Sequence, residues 1–259
     1  MHPVRIATWN VNSLKVRLPR VEAWLADVQP DVVCLQETKL ADPAFPALAF
    51  EALGYESVHH GEGRWNGVAI LSRVGIDEVV DGFGPDDDDD QARLLWATCG
   101  GIRIASAYVP NGRSLDDDHY RYKLDWLAKL QHILDDELDP AEPLVIAGDY
   151  NIAPTDADVW NPKRFEGATH VSEPERAALA AMEAWGLTDS FRVLQPEPGL
   201  YSWWDYRGGS FHKKEGLRID LLMATRPIID RLTFATIDRN ARKGQQPSDH
   251  APVIIDLAD

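Results

Sequence analysis

The chain has few cysteines and no long apolar segment. Only two of its 259 residues are cysteine, Cys34 and Cys99, and both lie in short apolar runs. This usage is typical of buried thiols rather than of a disulfide framework or a zinc site, and it favours the reducing cytoplasm. No apolar run reaches the ~20 residues of a membrane-spanning helix, so no membrane partner is expected. The first ten residues, MHPVRIATWN, lack the apolar core of a signal peptide.

Basic residues are also scarce. The chain has 26 Lys and Arg against 42 Asp and Glu, a formal net charge of −16. Nucleic-acid-binding proteins usually present a basic face, so this balance argues against a DNA partner. Part of the acidic excess is local, because Asp86 to Asp90 is an unbroken run typical of a solvated loop. A segregated basic face stays open, since basic residues cluster at Lys163, Arg164, Arg207, Lys213, Lys214, Arg218 and Arg239 to Lys243.

Several common signatures are missing. The sequence has no HExxH motif, no cysteine cluster and no P-loop glycine pattern, so zinc-peptidase and nucleotide-cradling functions lack support. It has no repeat at the level of residue identity, no low-complexity linker and no visible domain boundary. A chain of this length can form one domain or two. The prediction is a single domain over residues 1–259.

One stretch, LVIAGDYN, combines a buried strand with polar side chains. Its apolar run from Leu144 to Ala147 is typical of a strand buried on both faces. It ends at Gly148, followed by Asp149 and Asn151, whose side chains leave the same face if the strand geometry persists. On this stretch alone, an ordinary turn after a core strand is the favoured interpretation.

Three other stretches repeat the pattern and change that balance. IATWNVN ends in Asn10 and Asn12, VVCLQET carries Glu37 at its end, and PSDHAPVIIDL begins with Asp249 and His250. Four apolar strands with carboxylate, amide or imidazole groups at one end are hard to explain as four separate turns. The set indicates an active site.

Residue periodicity predicts an α+β fold in which sheets pack on each other with helices outside. A helix ends near Pro30, a short one lies between Ala41 and Leu53, and a third is marked by Leu124 to Leu138. Ser172 caps a fourth helix, which ends at Gly186. Strands are predicted at residues 6–11, 31–36, 55–60, 67–72, 76–80, 94–99, 102–109, 144–147, 218–224, 232–237 and 251–257.

The polar strand ends supply a set of groups suited to phosphate-ester hydrolysis. Carboxylates crowded into one site need a cation, and oxygen ligands suit Mg²⁺ or Mn²⁺. A metal would polarise the phosphoryl oxygen, Asp149 could position or deprotonate water, and His250 could donate to a phosphate oxygen while Asp220 orients it. A lone His or Asp is more often structural, so the interpretation depends on the set: Asn10, Asn12, Glu37, Tyr108, Asp149, Asn151, Asp220, Asp249 and His250.

The chain resembles bacterial exonuclease III, the abasic-site endonuclease of the endonuclease/exonuclease/phosphatase superfamily. The resemblance covers nearly the whole chain, through WNVNSLK, PDVVCLQETK, YVPNG, GDYNIAPTD, YSWWDYR, LRIDLLM and PSDHAPV in that order. LQETK, GDYN and SDHAPV are specific to the superfamily, and SWWDYR with LRIDLL narrows the match to the exonuclease III branch. The resemblance implies a deoxyribonuclease I-like fold, a four-layered α/β sandwich.

The resemblance also implies roles for the polar residues. Glu37 would be the main metal ligand, with Asn12 and Asp249 near the metal. Asn10 and Asn151 would bind the scissile phosphate or the water. Tyr108 and His250 would contact phosphate oxygens. Asp149 would act on the water or the leaving group, and Asp220 would pair with His250.

The implied function is a Mg²⁺-dependent DNA repair nuclease, for which Mn²⁺ substitutes. It would cut 5′ to abasic sites and act on 3′ ends as an exonuclease and a 3′-phosphatase. Trp203, Leu217 and Ile219 lie where the family builds its pocket for a base-less sugar, although a core role is an open alternative. The expected partner is double-stranded DNA with abasic or blocked 3′ ends, and the expected state is a monomer. A phosphodiesterase acting on another phosphoester and a non-catalytic DNA mimic are the competing interpretations.

Overall fold

Two six-stranded sheets face each other in the part of the chain described, residues 4–85 and 87–259 of a computed structural model. Numbered along the chain, the strands are β1 (Val4–Asn10), β2 (Val32–Gln36), β3 (Glu56–His60), β4 (Val68–Ser72), β5 (Asp77–Asp81), β6 (Leu94–Cys99), β7 (Ile102–Tyr108), β8 (Leu144–Asp149), β9 (Thr188–Asp189), β10 (Asp220–Ala224), β11 (Leu232–Ile237) and β12 (Val253–Leu257).

The two sheets share one pattern of strand directions. The first has the order β11-β12-β1-β2-β4-β3 and the second the order β5-β6-β7-β8-β10-β9. In each, one parallel pair, β1 with β2 or β7 with β8, is flanked by antiparallel strands. Because the carboxyl ends of parallel strands meet at one edge of a sheet, this pattern gathers the side chains that follow each pair.

Seven helices accompany the sheets in the part of the chain described, and the longer ones cover the outer faces, whereas Phe191 of the fifth helix and Ile228 of the seventh join the apolar cluster between the sheets. The helices are α1 (Leu14–Val28), α2 (Ala47–Glu51), α3 (Asp118–Glu137), α4 (Glu173–Trp185), α5 (Ser190–Leu194), α6 (Ser210–Lys213) and α7 (Arg226–Ile229). The apolar residues of α1 pack on the first sheet, and those of α3 and α4 pack on the second. A third apolar cluster fills the space between the sheets. The predicted four-layered α+β sandwich is confirmed.

Strand β8 shows why its sequence is apolar throughout. Val145 and Ala147 point into the cluster between the sheets, whereas Leu144 and Ile146 point towards α3 and α4. Neighbouring side chains on a strand face opposite ways, so a strand covered on both sides needs an apolar residue at every position. The prediction of a strand buried on both faces is confirmed.

Local sequence also determines the turn between β6 and β7 and the start of α4. Gly100 and Gly101 connect β6 to β7 with φ values of 57° and 80°, which favour glycine. At the start of α4, the Ser172 hydroxyl accepts a hydrogen bond from the Glu175 N–H, and the Glu175 carboxylate accepts one from the Ser172 N–H. The predicted Ser172 cap is therefore confirmed, and with Glu175 it forms a capping box.

Helix boundaries are less accurately predicted. Helix α3 begins at Asp118, one turn or more before the first leucine of the predicted pattern, because Asp117 caps it by accepting from the His119 N–H. The short elements β9, α5, α6 and α7 have no counterpart in the prediction, since two to five residues are too few to show periodicity.

The acidic run, predicted as a solvated loop, lies in a loop whose carboxylates contact α3 where the structure describes it. Asp86 lies outside the described residues. Asp87 and Asp88 pair with Lys129, and Asp89 accepts a hydrogen bond from the Tyr122 hydroxyl. Across residues 4–85 and 87–259, no helix has the length and apolar character needed to cross a membrane.

Candidate active site

The polar strand ends predicted from the sequence come together at one edge of the two facing sheets. Asn10 ends β1, Tyr108 ends β7 and Asp149 ends β8, so three carboxyl ends meet there. Asp220 begins β10 directly opposite Asp149 in antiparallel register. His250 enters from the segment that precedes β12, which pairs with β1.

Asp149 lies at the centre of this edge and is buried. One carboxylate oxygen, Oδ2, accepts a hydrogen bond from Asn10 Nδ2 at 2.9 Å and lies 3.7 Å from His250 Nε2. The other, Oδ1, accepts from the Asn151 N–H at 2.9 Å. Burial raises the pKa of Asp149 to about 7, although the facing His250 opposes this rise. The carboxyl group can therefore gain and lose a proton near neutral pH.

His250 is held between two carboxylates. Its Nδ1 lies 2.9 Å from Asp220 Oδ2, which leaves Nε2 directed at Asp149. Burial alone lowers the pKa of His250, but Asp220 and then Asp149 outweigh it and raise the pKa to about 10. The imidazole is therefore protonated at neutral pH and can donate a hydrogen bond from Nε2.

Replacing Asp220 tests this arrangement. In Asp220→Asn we expect the pKa of His250 to fall well below about 10, because burial then acts against the charged ring with one carboxylate fewer. Because His250 is predicted from the sequence to donate to a phosphate oxygen, the loss of its orientation should lower kcat for the predicted phosphate-ester hydrolysis by about 10²-fold. An NMR titration of His250 measures the first effect and steady-state kinetics the second. An unchanged pKa would show that Asp220 does not set the charge of His250.

A second group of oxygen donors lies beside Asp149. Asn10 Nδ2 also donates to Glu37 Oε1 at 2.8 Å, which ties Glu37 to the Asp149 carboxylate. Lys39 Nζ lies 2.8 Å from Glu37 Oε2 and 2.5 Å from Asn12 Oδ1. The Glu37 carboxylate and the Asn12 amide oxygen thus already hold one positive charge, that of Lys39.

The donor set fits a hard divalent cation. Glu37, Asp149 and His250 each offer one ligand atom, and these atoms lie within 4.8 Å of one another. A protonated imidazole cannot ligate a metal, so the oxygen donors of this group are the suitable ligands. Asp249 is held differently, because its carboxylate accepts from Asn12 Nδ2 at 2.9 Å and from Trp203 Nε1 at 3.1 Å. Asp249 is therefore linked to the predicted metal site through its hydrogen bond with Asn12.

Asn151 departs from the strand geometry considered for it. Its φ is 51°, in the left-handed region, so β8 ends at Asp149 and the two side chains do not continue an extended strand. Asn151 Nδ2 donates to the Val109 carbonyl at 3.0 Å, and Oδ1 accepts from Asn111 Nδ2 at 3.1 Å. One amide hydrogen of Asn151 is left for a ligand.

Tyr108 lies beside these groups at the end of β7 and is half-buried. Burial first, and then the neighbouring Glu37 carboxylate, hold the pKa of Tyr108 well above its ordinary value. Its hydroxyl is therefore neutral and can donate a hydrogen bond. The Arg93 guanidinium lies 4.7 Å from the centre of its ring.

The predicted pocket for a base-less sugar lies next to Asp249. Leu217 and Ile219 are buried in an apolar cluster with Ala153 and Val159, and only Trp203 is partly exposed. Leu217 and Ile219 therefore line no open surface in this conformation, and their role in sugar binding stays a prediction.

Arg218 does not belong to a basic surface. Its guanidinium is buried, with Nε 2.7 Å from Asp158 Oδ1 and Nη2 2.6 Å from Asp189 Oδ2. Lys163, Arg164, Lys213 and Lys214 are exposed, as is Arg207. The basic side chains available to an anionic ligand are thus a smaller set than the sequence analysis named.

Several residues that contact the site residues are absent from the predicted set. Lys39 and Asn111 belong to the motifs LQETK and YVPNG, which could have identified them. Lys123 and His170 both contact the carbonyl oxygen of Asn151. Nothing in the local sequence marks either of them, because their contacts join distant parts of the chain.

Comparison with known proteins agrees with this geometry. Residues 7–250 match the Endonuclease/Exonuclease/phosphatase family. Exodeoxyribonuclease III of Haemophilus influenzae is 36% identical over 262 residues, covering 96% of this chain and 98% of that protein. The DNA repair nuclease APEX1 of Danio rerio is 32% identical over 267 residues, covering 98% and 82%.

Solved structures resemble the chain over nearly its full length. A 3′ phosphatase, NExo from Neisseria bound to product DNA hairpin, has 41% identity and a TM-score of 0.96, with 99% of this chain and 100% of that chain covered. An AP endonuclease from Archaeoglobus fulgidus has 35% identity and a TM-score of 0.95, with 98% and 99% covered. The deoxyribonuclease I-like fold predicted from the resemblance is confirmed.

Proposed function

Since the chain belongs to the endonuclease/exonuclease/phosphatase family, we propose that it is a DNA repair nuclease that hydrolyses phosphate esters at abasic sites and at 3′ ends. One observation carries this proposal. A carboxylate that titrates near neutral pH, Asp149, is hydrogen-bonded to Asn10 and faces a protonated His250, with Glu37 next to it. This arrangement supplies a base, an acid and a cation site at one point, as phosphodiester hydrolysis requires.

The residues divide the work by their charge and hydrogen-bonding capacity. Asp149 positions the attacking water and accepts its proton. His250, held by Asp220, donates from Nε2 to a phosphate oxygen, and the neutral Tyr108 hydroxyl donates to another. Asn10 and Asn151 orient the phosphate or the water through their amides.

A divalent cation completes the site. Mg²⁺ fits the oxygen donors, with Glu37 as the main ligand and Asn12 and Asp249 nearby, and Mn²⁺ would substitute for it. When bound, the metal polarises the phosphoryl oxygen and stabilises the leaving oxyanion.

The proposed substrate is double-stranded DNA with an abasic site or a blocked 3′ end. The relatives named above act on DNA, and exposed lysines and arginines such as Lys163 and Lys213 can contact its phosphates. The protein would act as a monomer whose residues 1–259 form one domain. Trp203, Leu217 and Ile219 would admit the base-less sugar.

The two classes of substrate place different demands on the site. An internal abasic site requires a flipped sugar to enter the Trp203, Leu217 and Ile219 pocket, whereas a terminal 3′-phosphate reaches Asp149 without it. Because Leu217 and Ile219 are covered, we expect removal of a 3′-phosphate to be faster than incision at an abasic site.

The test uses two labelled duplexes assayed side by side with Mg²⁺ and with EDTA. One carries a single tetrahydrofuran abasic analogue and the other a nick with a 3′-phosphate. Metal-dependent cutting 5′ to the analogue, or metal-dependent release of phosphate, supports the function, and the ratio of the two rates tests the expected preference. If neither duplex reacts, the proposed function is wrong, and soluble phosphoesters become the substrates to examine.

A further inference from the structure

The carbonyl oxygen of Asn151 is held by two side chains that take no direct part in the proposed reaction. Lys123 Nζ donates to this oxygen at 2.7 Å, and His170 Nδ1 lies 2.5 Å from it. Burial, followed by the neighbouring Lys123 charge, lowers the pKa of His170 to about 4. The histidine is therefore neutral at neutral pH and donates from Nδ1 to the carbonyl oxygen.

Lys123 is itself fixed by a buried partner. It extends from α3 and forms an ion pair with Glu175 of α4, and both side chains are fully buried. The Glu175 carboxylate also accepts hydrogen bonds from Thr169 Oγ1 at 2.8 Å and from the His170 N–H at 2.9 Å. With its second oxygen it accepts from Ser172. The carboxylate is thereby rigidly placed, and it holds the ammonium group in one position.

This network supports a backbone conformation that an L-residue adopts at a cost. Asn151 has a φ of 51°, and a left-handed residue must be stabilised by its surroundings. Its N–H donates to Asp149, its side-chain amide contacts Asn111 and Val109, and its carbonyl oxygen accepts from Lys123. The peptide group after Asn151 therefore has a fixed orientation, and with it the Asn151 amide has a fixed direction.

A buried ion pair is a costly way to join two helices. Both charges lose their hydration, and replacement by apolar side chains is often neutral or stabilising. The pair of Lys123 and Glu175 has a second contact that an apolar pair could not make, because Lys123 reaches the carbonyl oxygen of Asn151. The Lys123 ammonium group therefore holds the Asn151 carbonyl group in addition to joining α3 to α4.

We propose that Lys123 is a positioning residue for the nuclease reaction, which holds the Asn151 carbonyl group and so aims the Asn151 amide at the substrate. The inference rests on the proposed function, because it assigns Asn151 to the phosphate or the water. Glu175 serves the reaction by placing Lys123, and His170 adds the second donor.

Three variants separate positioning from stability. Lys123→Met leaves the Glu175 carboxylate unpaired, so both Tm and kcat for 3′-phosphate release should fall. Lys123→Met/Glu175→Gln removes both charges and keeps an acceptor at position 175, so Tm should recover while kcat stays lower by about 10- to 100-fold. KM should change little, because the proposed contact of the Asn151 amide stabilises mainly the transition state and contributes little to substrate binding.

The control breaks a partly buried ion pair outside this network. Arg192→Met removes one of the two arginine partners of Asp158, which keeps Arg218, and Arg192 also donates to the carbonyl oxygens of Gln195 and Glu197. We expect it to lower Tm without lowering kcat. If the double variant regains the wild-type kcat together with its Tm, the ion pair is only structural and the proposal is wrong. It is equally wrong if Arg192→Met loses as much kcat as Lys123→Met.

A crystal structure of the double variant gives a measurement that does not depend on activity. The proposal expects Asn151 to leave its φ near 51° or to lose the 3.1 Å contact with Asn111. An Asn151 with an unchanged φ and unchanged contacts overturns the positioning role. If the wild-type protein cleaves neither duplex, the proposed function fails, while this structural comparison still decides whether Lys123 positions Asn151.

Discussion

Asp149→Asn is expected to lower kcat for 3′-phosphate removal and for abasic-site incision by about 10²- to 10⁴-fold, the usual contribution of a positioned acid–base group. The carboxylate is buried, hydrogen-bonded to Asn10 and the Asn151 N–H, and able to titrate near neutral pH. Asparagine keeps the shape of the side chain but cannot accept a proton from water. It also presents only one acceptor oxygen to Asn10 and Asn151.

The measurement is kcat on both duplexes, with Tm as a check on folding. Asp125→Asn is the matched control, because Asp125 is an exposed aspartate on α3 and the same change there should leave kcat unaltered. An Asp149→Asn variant that folds normally and retains wild-type activity on both duplexes would remove Asp149 from the mechanism. A loss on one duplex alone would mean that the two reactions use different bases.

The convergence of the polar side chains at the strand ends could be predicted from the sequence because it depends on a simple pattern. Asn10 and Asp149 each follow a run of apolar residues, and such runs form strands buried on both faces. The carboxyl ends of parallel strands meet at one edge, so the polar groups that follow them gather there. The family was then predicted from the order of the sequence motifs along the chain, because the apolar runs and polar strand ends alone do not distinguish one family from another.

The turn at Asn151 shows where this reasoning fails. Alternation along a strand places Asp149 and Asn151 on one face, but the Asp149 carboxylate accepts from the Asn151 N–H and bends the chain instead. Asn10 and Asn12 make the same contact at the end of β1, where Asn10 Oδ1 accepts from the Asn12 N–H at 2.9 Å. Short polar residues compete with the strand for backbone hydrogen bonds, and no periodicity reveals which will win.

Long-range contacts were beyond the sequence for a different reason. Lys123 lies in a helix in which most charged residues face solvent, and only its pairing with Glu175, 52 residues away, makes burial tolerable. Arg218 is the converse case. It is among the residues that the sequence suggests for a basic surface, but Arg218 is buried in ion pairs with Asp158 and Asp189. A charged residue can be placed only once its partner is known.

Removal of the divalent metal is expected to reduce hydrolysis of both duplexes by about 10³-fold or more. A bound metal supplies several kcal/mol of transition-state stabilisation, and each ~1.4 kcal/mol corresponds to a factor of ten in rate. The reason is specific to this site. Glu37 and Asp149 are both hydrogen-bonded to Asn10, so two carboxylates lie close to where the proposed mechanism places an anionic phosphate. Without a cation, the negative charges oppose substrate binding and the developing oxyanion.

Glu37→Gln tests the same point without a chelator. Glutamine still accepts from Asn10 Nδ2, but it removes the charge that balances Lys39 and that would bind Mg²⁺. We expect the Mg²⁺ concentration for half-maximal activity to rise sharply, with kcat partly recovered when Mg²⁺ or Mn²⁺ is raised. Glu51→Gln, an exposed change on α2, should leave the metal titration unaltered.

Full activity in EDTA would contradict a metal requirement, whereas an unshifted Mg²⁺ titration in Glu37→Gln would assign the metal to other ligands. The recovery with added metal distinguishes a weakened site from a misfolded one, because a misfolded protein would not respond to Mg²⁺.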